Sequence, residues 1–224
     1  MSLIYGVNSI TPSNVRLTNG YTLYDWVMRQ SCFPSFWGRT LVGNKKITSE
    51  EIEFLKSKNC KLVLIVRDLD ELKISGNNGT DEALVAIKAA KTIGVLPNTG
   101  KAIFAEIPSD YSVNHNWMLK FSRTLVANGY VPGFIGNTDS SMNFNFDRQC
   151  SHYVQAVKVN RPFDSIYWST EPRYEFDPEV WVPYAPSELL PTDMSLWSYG
   201  NINFHKISVD KSYSKEPSVL DYFV

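Results

Sequence analysis

Short apolar runs, each closed by Gly, Asn, Pro or a charged residue, recur along the chain with helix-spaced segments between them. Runs bounded in this way read as buried strands. Ile4 to Asn8 is the first, and Tyr21 to Gln30 has the spacing of a helix. Phe36 to Val42 predicts a second strand, ended by the turn Gly43-Asn44. Thr48 and Glu51 then form a capping box, with Ile47 and Ile52 as its hydrophobic staple, which marks a helix start. Lys61 to Val66 is apolar without alternation, as in a strand covered on both faces, and ends in Arg67-Asp68. After the Gly- and Asn-rich Ser75 to Gly79, a helix begins near Thr80. Asp81 and Glu82 suit the positive end of its dipole, and Gly94 stops it. Ala83, Ala86 and Ala90 share one side, so this helix packs closely on a sheet.

The stretch Gly100 to Tyr111 carries strand four, which ends in Glu106 two residues before Pro108. Asn114 to Asn128 is the next helix, Val131 to Gly136 strand five, and Asn143 to Val159 the fifth helix. The rhythm then changes. Ile166 to Ser169 reads as strand six, but Pro172, Pro178, Pro183, Pro186 and Pro191 punctuate the connection after it and exclude a long helix. Ser195 to Tyr199 and Lys206 to Asp210 supply two closing strands. Eight strands close naturally into a barrel, and the alternation favours a parallel sheet. The expected fold is one α/β domain over residues 1–224. It is a single TIM-like β/α barrel of five strand-helix units followed by three strands with little intervening helix.

Composition removes several function classes. A net charge of -1 with no basic stripe gives no reason to propose nucleic acid. No run is long and apolar enough to span a membrane. Met1-Ser2-Leu3 leads almost directly into a strand, so no signal peptide is expected in this chain. Cys32, Cys60 and Cys150 are odd in number and scattered, which suggests no disulfide framework. His115, His152 and His205 lack the spacing of a metal site, and neither metal nor cofactor is expected. Asn78-Gly79-Thr80 matches a short glycosylation sequon. A monomer is expected.

Candidate chemistry gathers at the carboxyl ends of the strands, where parallel barrels hold their active sites. Ala102, Phe104 and Glu106 share one face of strand four. A carboxylate there is costly to bury unless it is paired or has a task. The apolar residues before Glu106 limit its hydration, which would raise its pKa and suit it to donate a proton. Arg39, if it pairs with Glu106 across the barrel, would favour a base; alternatively it is a structural cation. Asp210 ends the polar face Lys206, Ser208 and Asp210, and either acts as the second carboxylate or closes the barrel by hydrogen bonding. Asp68 is a third acid, either part of the site or an ion pair or helix cap near the strand end. Asn8 and Asn137 suit sugar hydroxyls or turns. Trp168, Trp197 and Tyr199 either stack on a pyranose or belong to the core.

Several motifs point the same way. Trp37-Gly38-Arg39-Thr40-Leu41, Gly79-Thr80-Asp81-Glu82-Ala83 running on to Gly94-Val95, Leu196-Trp197-Ser198-Tyr199 and Val209-Asp210 occur in order along nearly the whole chain. In that order they resemble a bacterial glycoside-hydrolase-like barrel family, domain of unknown function 1906, related to the glycoside hydrolase family 25 lysozymes. The resemblance implies hydrolysis of a cell-wall or related polysaccharide with Glu106 as general acid, in an extracellular or cell-surface setting. The alternative is a catalytically inactive barrel that binds glycan or a protein partner. The chain departs from the lysozyme pattern at two places. It has Gly6-Val7-Asn8 where the lysozymes carry Gly-Ile-Asp. It also keeps only Glu106 of their strand-four Asp-x-Glu, with Phe104 or Pro108 at the other position.

Overall fold

The computed structural model describes residues 3–141, 145–159 and 163–224. Its strands are β1 (Ile4–Asn8), β2 (Phe36–Thr40), β3 (Lys61–Val66), β4 (Ala102–Glu106), β5 (Val131–Gly136), β6 (Ile166–Ser169), β7 (Leu196–Phe204) and β8 (Ile207–Ser214). They close into a barrel in chain order. The helices are α1 (Leu23–Arg29), α2 (Ser49–Ser57), the single turn α3 (Glu71–Ile74), α4 (Thr80–Thr92), α5 (His115–Ala127) and α6 (Asn145–Val159). The first two residues expected in the last of these, 143 and 144, lie outside the described residues. Between β6 and β7 the only helical turn is the 3-10 segment Pro191–Asp193, as the prolines required. No helix among the described residues is long and apolar enough to cross a membrane.

The structure departs from the expected elements: β7 and β8 run on to Phe204 and Ser214, past the expected Tyr199 and Asp210, and two further features appear. The one-turn α3 is too short to leave a periodic signal. The sheet is also not wholly parallel, because β8 runs antiparallel to both β7 and β1. The turn His205-Lys206 joins Phe204 directly to its partner Ile207, and so tight a link permits only antiparallel pairing.

The barrel interior is solid. Phe36, Phe104 and Trp168 enter from β2, β4 and β6, the alternate-strand layering of a packed barrel. Trp168 stands edge-on to both phenylalanines, with ring centres 6.1 and 5.9 Å away. Their ladder neighbours are glycines, Gly6 beside Phe36 and Gly133 beside Phe104. A Cβ on either glycine would lie 2.2 or 2.4 Å from the neighbouring ring. Val219 and Phe223 close the floor, with Phe223 5.4 Å from Phe36 between ring centres. Below the upper rim the bore is filled by side chains.

Gly133→Ala should therefore lower the unfolding free energy by about 1–3 kcal/mol, the usual cost of overpacking a core. Combining it with Phe104→Leu should cost less than the sum of the two single losses. Urea unfolding of the three variants measures this coupling, and strict additivity would show that the ring does not confine the position.

Candidate active site at the barrel mouth

The alternation that packs the interior also aims the rim residues. Val63 and Ile65 of β3 point inward, and the next residue of that phase is Arg67. Ala102 and Phe104 of β4 point inward in the same way, which brings Glu106 to the mouth. Asn8 follows Gly6 on β1 and pairs in register with Asp210 of β8. Arg67 joins these strands. Its Nε donates to Glu106 Oε2 at 2.6 Å, its Nη1 to Thr40 Oγ1 at 2.8 Å, and its Nη2 to Asn8 Oδ1. Arg67 is itself buried.

A second polar group completes the rim. Arg173, in the connection after β6, lies 3.5 Å from Asp210 Oδ1 and 3.9 Å from Glu171 Oε1. Asn137 Nδ2 donates to the same Glu171 oxygen at 3.3 Å. Burial pushes the Asp210 carboxyl above the usual aspartate range; Arg173 pulls it back, Glu106 adds to the push, and Arg67 opposes it. Burial likewise raises the carboxyl of Glu171, against the pull of Arg173.

Between Glu106 and Asp210 opens a cavity of about 250 Å³, lined also by Asn8, Arg67, Ser208, Lys45 and Lys206. Asn8, Glu106 and Asp210 thus converge as expected, and Lys206, Ser208 and Asp210 do present one polar face to it. A cavity of this size takes a monosaccharide-sized group or the reacting part of a longer chain.

The other expected site residues lie elsewhere. Asp68 falls on the outward phase of β3, is exposed, and has φ +55°. It lines a separate pocket between that strand end and α4. Trp168 is buried in the interior and donates from Nε1 to Ser198 Oγ at 2.9 Å. Trp197 and Tyr199 lie on the opposite phase of β7 and are buried under the long connection. Trp197 Nε1 donates to the carbonyl of Pro172 at 2.9 Å, and Tyr199 stacks on Tyr213 at 4.4 Å. Asn137 is buried and reaches the site only through Glu171 and Arg173. Arg39 is outward-facing and pairs with Glu51 at 2.7 Å rather than with Glu106. It also donates to the backbone carbonyls of Ser9, Ile10 and Lys45. Glu51 takes two further hydrogen bonds from Ser13 and so does not close the capping box expected of it.

Sequence reasoning passed over Arg67, Lys45, Glu171 and Arg173. The unbroken apolar run of β3 hides its inward phase, so the sequence does not separate Arg67 from Asp68. Lys45, Glu171 and Arg173 sit in connections, where no periodicity indicates direction.

No protein-family model matches the chain, and no curated protein matches it. Two solved structures are similar to it. An uncharacterized protein of B. stearothermophilus is 25% identical over 99% of this chain and 100% of its own, with a TM-score of 0.79. A Tat-secreted protein of Mycobacterium tuberculosis, solved in complex with HEPES, is 14% identical over 96% of this chain and 97% of its own, with a TM-score of 0.62. What they share with this chain is the barrel.

The two arginines should respond differently to removal. The Arg39–Glu51 pair is fully buried, and breaking such a pair costs about 3–5 kcal/mol. Glu106 is about one-third exposed, so Arg67→Met should cost less, about 1–2 kcal/mol after solvent screening. Urea unfolding of Arg39→Met and Arg67→Met checks the order, and equal losses would contradict it.

Proposed function

We propose that this barrel is a glycoside hydrolase acting on a cell-wall or related polysaccharide, allied to the glycoside-hydrolase-like family its motifs resemble. The observation that carries the reading is the meeting of two carboxyl groups, Glu106 and Asp210, on one cavity in unlike surroundings. Glycoside hydrolysis commonly needs such a pair, one group to protonate the leaving oxygen and one to act at the anomeric carbon. The division of labour differs from the one expected from sequence. Asp210, with its raised pKa, is the proton donor. Glu106, held at one oxygen by Arg67, faces the positive charge that develops at the sugar. Protonation by Asp210 breaks the bond between the anomeric carbon and the leaving oxygen. Water then adds to that carbon and releases its proton to a carboxylate. Asn8 and Ser208 supply polar atoms for the sugar hydroxyls.

A second reading, a barrel that binds glycan without cleaving it, draws on the same geometry. Each carboxylate already has an arginine partner, an arrangement that also suits a binding site.

Reducing-sugar release from peptidoglycan and chitin-type oligosaccharides separates the two. Asp210→Asn and Glu106→Gln should each lower the rate by about two to four powers of ten, the usual worth of positioned proton transfer. The wild-type rate should fall as the pH rises through the elevated pKa of Asp210, because the donor must carry its proton. A rate that stays flat across that range would place the donor elsewhere. Glycan binding by the wild type without any release would establish the second reading.

A further inference from the structure

We infer that the ligand of this cavity is an anionic glycan, one carrying carboxylate or phosphate, and that Lys45 and Lys206 read its charge. The inference rests on the glycan reading above and adds the substrate class. Its basis is the balance of charge around the mouth. Glu106 is paired with Arg67, and Asp210 shares Arg173 with Glu171. Two further cations, Lys45 and Lys206, line the same cavity. Neither has a carboxylate within 4.0 Å among the described residues, whereas Lys211 and Lys215 nearby on the chain both do. The mouth therefore carries four cations, Arg67, Arg173, Lys45 and Lys206, against three carboxylates, Glu106, Asp210 and Glu171, and the two lysines stand where an entering anion can meet them.

The two lysines come from separate parts of the fold. Lys45 lies in the connection after β2, and Lys206 in the turn between β7 and β8. Both are exposed, so neither is needed to satisfy a buried group. A neutral sugar would leave the ammonium groups in water and gain nothing from them. A carboxylate or phosphate on the sugar would gain a charge-assisted contact from each. Thr11 and Ser208 add hydroxyls to the same wall.

Isothermal titration with three matched oligosaccharides, one neutral, one carboxylated and one phosphorylated, tests this on the full chain. At low salt a charged ligand should bind about tenfold more tightly than the neutral one. Lys45→Ala and Lys206→Ala should each reduce that preference about threefold, the scale of one exposed ion pair. The double variant should abolish it, Lys→Arg at both positions should retain it, and added salt should weaken it. Preference for carboxylate alone or phosphate alone supports the inference and names the source of the charge. Equal binding of neutral and charged ligands, or preference that survives in the double variant, overturns it and leaves the proposed hydrolysis standing. Charge-selective binding without bond cleavage upholds the inference and overturns the hydrolysis. Failure to bind any of the three overturns both.

Discussion

A single guanidinium organises the mouth of this barrel. Arg67 leaves β3 on its inward phase and must satisfy its donors at a site largely closed to water. Its partners come from three other strands, with Asn8 on β1, Thr40 on β2 and Glu106 on β4. A buried cation without partners would cost several kcal/mol, so each of these side chains is held in place by a need that the others share. The planar fork of arginine fixes directions as well as distances. Asp210 enters the arrangement through the closure of the barrel, because β8 sets it opposite Asn8 in register. The site thus depends on the sheet being closed. An open sheet carrying the same residues would leave Asp210 far from Glu106.

The late strands obtain their cover in a different way from the early ones. The connection from β6 to β7 is not helical, yet it covers the outer face of β7 with rings. Tyr174 and Trp181 pack edge-on against Trp197, with ring centres 5.7 and 6.0 Å away. Asp177 in that connection pairs with Lys211, which is otherwise buried beside Tyr199. A connection free of helical geometry can bend back over the rim, and this one brings Glu171 and Arg173 to the site. Trp197 and Tyr199, which look like a sugar platform in the sequence, are instead the face of β7 that this connection covers where a helix is missing.

Strand phase explains what was legible. The strand count, the five helices and the helix-poor end are encoded in apolar runs, caps and prolines, and the structure has them all. Glu106 was legible because β4 is short and ends on it, so its phase could be counted from Ala102 and Phe104. On β3 every position after Lys61 is apolar, and a run without alternation hides which face is which. Arg67 and Asp68 are therefore equivalent in the sequence, and only the backbone separates them. Asp68 takes a left-handed conformation at φ +55° and turns toward Gly43, while Arg67 stays inside. Arg39 presents the reverse problem, since a lone cation in a strand suggests the barrel interior. Its true partner Glu51 looked like a helix cap, and a carboxylate cannot serve both needs.

The neutral residue at position 8 sets the charge of the whole site. Asn8 accepts a hydrogen bond from Arg67 without adding a charge. An aspartate there would also accept that bond, but it would compete with Glu106 for the one guanidinium. It would also stand opposite Asp210 in the ladder, where like charges repel. Asparagine keeps the geometry and leaves Glu106 as the one carboxylate bonded to Arg67. Glu106 then has Arg67, and Asp210 shares Arg173 with Glu171. The lysines of the mouth have no carboxylate within 4.0 Å among the described residues, and their charge remains directed at whatever enters.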